Sequence, residues 1–399
     1  GSCVTYTVTI LPTPEADITD GDPTNSDSDG NPHTITICSG GTVPGTLTLV
    51  SGTNGLVTTV VAGSNITGVT TAINQIIANG GQIETGTLVN TGTSTQTVVY
   101  TICPYNNGPN GTDDSGTGDD CLASGDINGL TDNGIASCVT YTVTILPTPE
   151  ADITDGDPTN SDSDGNPHTL TICSGGTVPG TLTLVSGTNG LVTSVVAGSN
   201  ITGVTTAVNQ IRANGATIET GTLVNTGTTS QTVVYTICPY NNGPNGTDNS
   251  GTGDDCRATG DINGLTNNGI GSCVTYTVMI LPTPEADITD GDPTNSDGDG
   301  NPHTLTICSG GTVPGTLTLV SGTNGLVTSV VAGSNITGVT TAVNQIRANG
   351  ATIETGTLVN TGTTSQTVVY TICPYNNGPN GTDNSGTGDD CRATGDING

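Results

Sequence analysis

The sequence predicts an all-β chain of tandem β-sandwich domains, each with one short helix, arranged as a linear fibre. Three observations carry this. One unit of 135 residues is written almost three times, restarting as SCVTYTV with its cysteine at Cys3, Cys138 and Cys273. A fixed period of this kind marks an array in which each copy is one structural unit. Within a unit, short runs alternate Val, Ile or Leu with Thr between Gly, Asn, Ser and Pro breaks, which is the pattern of half-buried strands. Finally, the 12 cysteines fall four to a unit and never as CxxC, so a disulfide framework is expected before a zinc or redox site.

The strands are read in order as residues 33–38 (HTITIC), 45–50 (GTLTLV), 56–61 (LVTTVV), 83–89 (IETGTLV), 96–103 (QTVVYTIC) and 138–146 (CVTYTVTIL). Six short strands with such turn signals make a sandwich. The stretch 69–80 (VTTAINQIIANG) reads differently. Ala72, Ile73, Ile76 and Ile77 follow helical spacing, Gly80 can end a helix, and the change of Ile77 to Arg212 and Arg347 in the later copies predicts a solvent-facing position. The second and third copies are nearly identical, and the first departs at scattered sites such as Leu122 against Arg257. That records recent duplication and singles out no functional residue.

The strand from Cys138 closes a domain because it follows the longest loop and leads into the Pro-rich ILPTPEAD. The expected organisation is therefore 1–16 as the closing strand and linker of a preceding or neighbouring-subunit domain, 17–151 and 152–286 as the first two repeats, and 287–399 as a third repeat lacking its last strand. The first residue is not Met and the opening is partway through a repeat, which reads as a mature product or a window on something longer.

Composition limits the partners. There are 35 acidic residues against 4 basic ones, a formal charge of −31, and neither Trp nor Phe. Such a field repels nucleic acid and anionic membranes, and no apolar run reaches the ~20 residues needed to span a bilayer. Neither a nucleic-acid partner nor membrane insertion is expected. Cations are the natural ligands. The apolar fraction is only 31%, but it is clustered, so each unit has material for a core.

The run DITDGDPTNSDSDGN offers hard oxygen ligands at alternate positions, as calcium requires. The expected calcium ligands are Asp17, Asp20, Asp22, Asn25, Asp27 and Asp29, then Asp152, Asp155, Asp157, Asn160, Asp162 and Asp164, and again Asp287, Asp290, Asp292, Asn295, Asp297 and Asp299. The twelfth-position Glu of an EF-hand is missing, and the competing reading is a solvated acidic linker. A second calcium site is proposed at Asp113, Asp119, Asp120 and Asp126; neighbouring Asp114 becomes Asn249 and Asn384 later.

Four cysteines per domain allow three connectivities. A hairpin of strands 96–103 and 138–146 would pair Cys103 with Cys138 and Cys238 with Cys273, leaving Cys38 for Cys121, Cys173 for Cys256 and Cys308 for Cys391. The competitor pairs Cys38 with Cys103 and Cys121 with Cys138. His33, His168 and His303 precede strands beside a proline and read as turn residues, with no serine or cysteine placed to make a triad. Asn65, Asn110, Asn200, Asn245, Asn335 and Asn380 match the N-glycosylation pattern.

TICSGGT at 36–42, TLVNTGTSTQTVVYTICP at 87–104 and CVTYTVTILPTP at 138–149, in that order, resemble the PKD-like, immunoglobulin-type repeats of giant secreted surface adhesins of Bacteroidota, including gliding-motility adhesins. The likeness covers every copy. It implies an Ig-like fold and a secreted, bacterial cell-surface filament or adhesin, and it names no ligand. The extra Cys103, the acidic loop to Cys121 and the aspartate run at 17–29 depart from the pattern.

The leading reading is a non-enzymatic extracellular stalk, locked by disulfides and stiffened by calcium. It would continue as further repeats of the same chain or by donor-strand assembly of copies of itself, with Cys3 meeting Cys373 of a neighbour. The alternative is an adhesin module binding surface glycans through Thr-rich faces. A hydrolase has no support in the residues.

Overall fold

The computed structural model describes residues 3–8, 10–21, 33–106, 121–122, 138–156, 168–242, 256–257, 273–291, 303–377 and 391–392. All regular structure among them is β. Repeat 1 contains β1 (Glu15–Thr19), β2 (His33–Ile37), β3 (Gly41–Thr42), β4 (Thr46–Ser51), β5 (Asn54–Ala62), β6 (Ile66–Thr67), β7 (Ile76–Ala78), β8 (Thr87–Asn90), β9 (Gln96–Asn106), β10 (Cys121–Leu122) and β11 (Val139–Ile145).

The main sheet runs β2-β11-β9-β5-β7, with β10 on the end of β9. Against it lie the pair β1-β4 and the small sheet β3-β8-β6. The core between them gathers Ile18, Leu47 and Leu88 from one side and Val57, Val98, Tyr100, Ile102, Tyr141 and Val143 from the other. This is a β-sandwich, and its strands form where the Thr/aliphatic alternation puts every second residue inward.

β11 is the centre of the sheet's closing half. It pairs antiparallel with β9, Val139 opposite Ile102 through Ile145 opposite Gln96, and parallel with β2, Tyr141 opposite His33 through Ile145 opposite Ile37. Its inward residues Val139, Tyr141, Val143 and Ile145 are all buried, worth roughly 1.5–3 kcal/mol each in gross burial. Repeat 2 keeps the order, with His168–Ile172 parallel to Val274–Ile280 and that strand antiparallel to Gln231–Asn241.

Among the described residues of repeat 3, no strand takes the place of β11. Its main sheet has four strands, Ile346–Ala348, Asn324–Ala332, Val368–Asn376 and Cys391–Arg392. Residues 303–307, the counterpart of β2, form no strand, because β2 is joined to its sheet only through β11. Val368, Tyr370 and Ile372 are only half-buried, whereas Val98, Tyr100 and Ile102 are fully so.

The helix expected over 69–80 does not form. Asn74 takes a left-handed φ of 69°, its N–H donates to Val57 O at 2.8 Å, and Gln75 O accepts from Val57 N at 2.9 Å. The backbone bonds thus go to β5, and Ile76–Ala78 follows as the edge strand β7. Ile77, expected in solvent, points inward and is 4% exposed. Arginine is tolerated there because it reaches out to polar partners: Arg212 Nη2 donates to Gln210 Oε1 at 2.8 Å and to Thr206 Oγ1 at 3.1 Å. The strand expected over 83–89 is shorter, since Glu84 to Gly86 form a side-chain-bonded turn before β8.

By packing, the described chain separates into two compact units, one of Gly1–Ala151, Thr183–Leu191 and Cys238–Cys273, the other of Asp152–Leu182, Val192–Ile237 and Val274–Gly399.

Candidate functional site

Two features recur in every repeat and could carry function, the histidine–aspartate pair and the buried glutamate; a third, the closing strand with its bonded cysteine and the proline joint after it, is described for repeats 1 and 2.

Asp17 lies on β1 and His33 opens β2. His33 is buried, and its Nε2 is 2.7 Å from Asp17 Oδ1, which also accepts the Ile18 N–H at 2.9 Å. Asp152 with His168 and Asp287 with His303 repeat the pair at 2.7 and 2.5 Å. The histidine read as a turn residue is therefore a buried partner of the first residue expected to bind calcium. Asp20, Asp155 and Asp290 are buried next to it in sequence. Among the described residues no three His, Cys, Asp or Glu stand close enough to hold a metal ion. Asp22, Asn25, Asp27, Asp29, Asp157, Asn160, Asp162, Asp164, Asp292, Asn295, Asp297 and Asp299 lie outside the described residues, as do Asp113, Asp119, Asp120 and Asp126.

Glu84 is fully buried between the sheets. Its carboxylate accepts from Thr70 N at 3.0 Å, Thr71 N at 3.2 Å, Gly86 N at 2.7 Å and Tyr100 OH at 2.9 Å, and from the Thr70 hydroxyl. Burial alone would raise this carboxyl; the bonds from Thr70, Gly86, Thr71 and Tyr100 outweigh it and hold it below its ordinary value. Glu219 is lowered the same way, and Glu354 is brought to about 2. Burial and then the carboxylate push the Tyr100 phenol well above its usual range. The arrangement is a clamp on the 70–86 segment, saturated with donors. Sequence reading missed it; the signal was a single Glu in an otherwise apolar and Thr-rich run.

Cysteine placement follows the sheet. Cys103 is bonded to Cys138 and Cys238 to Cys273, with Cα atoms 4.1 and 4.0 Å apart, at the end where β9 and β11 pair. Two expected bonds are corrected. Cys173 is joined to Cys391, with Cα atoms 5.6 Å apart, and not to Cys256; Cys308, expected to hold Cys391, is free and exposed. Distance in space, not position in the unit, decides the partner. Cys38 is disulfide-bonded, and the side chains of Cys121 and Cys256 lie outside the described residues. Cys3 and Cys373 are free.

The proline joint is held on both sides. Leu146 N donates to Ile37 O at 3.0 Å, while Pro147 O accepts from Asn241 Nδ2 at 2.7 Å and Thr148 O from Ser186 Oγ at 2.5 Å. Pro12 with Asn106 and Pro282 with Asn376 repeat the bond at 2.7 Å. Of the glycosylation candidates, Asn65, Asn200 and Asn335 are exposed; Asn110, Asn245 and Asn380 lie outside the described residues.

Residues 170–251 and 305–386 each match one known family. That family is described as the PKD-like domain. They coincide with the bodies of repeats 2 and 3. Among solved structures, the chain is similar to extracellular cadherin domains 1–4 of protocadherin gamma B7, with 9% identity over 90% of this chain and 75% of that one. The TM-score is 0.26. No curated protein matches the sequence.

The chain is thus a tandem array of disulfide-bonded β-sandwich repeats, two stretches of which are similar to PKD-like domains, and such bonds persist in an oxidising, extracytoplasmic setting. No helix among the described residues is long and apolar enough to cross a membrane.

Proposed function

We propose that the chain is a non-enzymatic extracellular spacer, built from repeats 17–151, 152–286 and 287–399, that holds its ends apart at a cell surface. The observation that carries this is the joint. Leu146 is bonded to the repeat behind it and Pro147 to the repeat ahead, by bonds of 3.0 and 2.7 Å, so consecutive residues leave no slack between the two. Proline at 147 and 149 further restricts the backbone. The Cys103–Cys138 bond closes a loop of sequence separation 35, which on chain-entropy grounds adds about 4 kcal/mol to the repeat.

Resemblance to Bacteroidota surface repeats is the ground for a bacterial setting. Calcium is retained as a stiffening ion only for the acidic run beyond Asp17, since Asp17, Asp152 and Asp287 are committed to histidines. Glycan binding by the Thr-rich faces is the weaker reading: Thr59 and Thr101 hydroxyls bond each other at 2.7 Å, and Thr19 and Thr48 at 2.9 Å, which leaves them less available to a ligand.

Single-molecule stretching tests the spacer. In oxidising buffer each closed repeat should unfold in a discrete step shorter than in reductant, by the length locked between its paired cysteines. Featureless extension at low force in both buffers would overturn it.

A further inference from the structure

We propose that Cys38 is bonded to Cys256 of the next repeat, the counterpart of the Cys173–Cys391 bond, so that the joints at Pro147 and Pro282 each carry a covalent staple beside the backbone. The staple deepens the spacer reading, on whose joint it rests, and makes the strength of that joint depend on redox state.

Cys38 is disulfide-bonded. Cys103 is bonded to Cys138, Cys173 to Cys391 and Cys238 to Cys273, while Cys3, Cys308 and Cys373 are free. That leaves Cys121 and Cys256. The register of the main sheet decides between them. Ile37 lies opposite Ile145, and Ile145 opposite Gln96, the first residue of β9. Cys121 lies opposite Asn106, the last residue of β9. Because Cys38 directly follows Ile37, the length of an 11-residue strand separates the two cysteines, roughly 30 Å at a strand's rise per residue. A disulfide needs Cα atoms within ~7 Å. Repeat 2 makes the same choice: Cys173 passes over Cys256 of its own repeat and joins Cys391 of the next, Cα to Cα 5.6 Å.

The two joints are built alike around these cysteines. At the second, the carbonyl of Ile172, the neighbour of Cys173, accepts from Leu281 N at 3.0 Å. The following carbonyl, that of Pro282, accepts from Asn376 Nδ2 at 2.7 Å, and Asn376 is paired across the sheet with Cys391. Three short steps thus lead from one cysteine to the other, and the two are bonded. At the first joint, Ile37 O accepts from Leu146 N at 3.0 Å, Pro147 O accepts from Asn241 Nδ2 at 2.7 Å, and Asn241 is paired with Cys256. The same path runs from Cys38 to Cys256. Cys256 also stands 218 residues beyond Cys38, the separation of Cys173 and Cys391. Cys38 and Cys256 share one compact unit, as Cys173 and Cys391 share the other.

The loops 38–256 and 173–391 overlap through residues 173–256, so the two staples interlock. A load that breaks the hydrogen bonds of a joint still meets a covalent tie between neighbouring repeats. Closing each staple removes one hydrogen from each thiol. The two electrons and two protons pass to a small-molecule disulfide such as oxidised glutathione, which leaves as two thiols.

The glutamates supply the test. Glu15, Glu84, Glu150, Glu219, Glu285 and Glu354 are the only ones in the chain, and cleavage after them puts Cys38 in peptide 16–84, Cys121 in 85–150, Cys173 in 151–219, Cys256 in 220–285 and Cys391 in 355–399. The purified 399-residue chain, oxidised with glutathione and then alkylated at its free thiols, is unfolded in urea, cut with a glutamate-specific protease and weighed by mass spectrometry without reductant. The expected result is 16–84 joined to 220–285 and 151–219 joined to 355–399, each pair separating on reduction. Cys256→Ser should release 16–84 as a single peptide and leave 151–219 on 355–399, with the Cys103–Cys138 bond inside 85–150 showing that repeat 1 has folded in both chains. Peptide 16–84 joined to 85–150, or unjoined in the parent chain, would overturn the proposal. Either result leaves the spacer standing on its hydrogen-bonded prolines, whereas featureless extension in the stretching experiment would sink the spacer and leave the peptide pairs unchanged.

Discussion

Asn241 donates its side-chain amide to the carbonyl of Pro147 across 2.7 Å, and this bond fixes the exit of one repeat onto the body of the next. Both groups are buried. Removing the donor leaves the carbonyl unsatisfied, which costs on the order of 1–3 kcal/mol. Asn241→Ala should therefore lower the melting temperature and open residues 146–149 to proteolysis, read by limited digestion. Unchanged cleavage there would mean that the prolines alone hold the joint.

The Glu84 clamp makes an acid-limb prediction. Its folded pKa, like those of Glu219 and Glu354, lies below the ordinary 4.5. A carboxylate depressed in the fold contributes stability that is present above the unfolded value and lost as pH falls through the folded one. Denaturant midpoints should hold down to about pH 4.5 and then fall toward about 2, the value for Glu354. A Glu84→Gln, Glu219→Gln, Glu354→Gln variant should be less stable at neutral pH and show a flatter acid limb.

The same clamp has an alkaline limb. Tyr100, Tyr235 and Tyr370 are raised above the ordinary 10, so the stability tied to keeping them protonated is complete below pH 10 and is lost above it, as unfolded tyrosines ionise first. Tyrosinate absorbance should appear together with unfolding; a gradual titration of these three phenols in the folded chain would contradict the burial described.

His33 and Asp17 give the test for calcium. Asp17→Ala should destabilise repeat 1 by roughly 1–3 kcal/mol, because it removes the oxygen that lies 2.7 Å from the buried His33 Nε2, while the heat of calcium binding in a calorimetric titration stays as in the parent chain. Loss of calcium binding in that variant would return Asp17 to the ligand set, and no heat in either chain would remove the ion from the account.

Much of the fold was legible because it rests on period-2 alternation. The runs at 33–38, 96–103 and 138–146 became β2, β9 and β11 within a few residues. The stretch 69–80 misled because Ile73, Ile76 and Ile77 satisfy helical spacing equally well, and only the bonds between Val57 and residues 74 and 75 hold it against β5 as a turn that leads into the short strand Ile76–Ala78. Asp17 looked like a ligand because spacing shows which residues are near in sequence, whereas His33 reaches it across two strands. Glu84 and Asn241 were invisible for the same reason: each bonds groups far off in sequence, and one carboxylate or amide in a run of threonines has no local pattern.

The central claim, that the joints leave no slack, is tested most directly by small-angle X-ray scattering of the Cys3→Ser chain, which cannot link covalently through that cysteine. The account predicts one well-defined maximum dimension and a scattering curve fitted by a single conformation, with Asn241→Ala broadening both. A curve that requires a wide ensemble of repeat orientations in the Cys3→Ser chain, unchanged by Asn241→Ala, would contradict it.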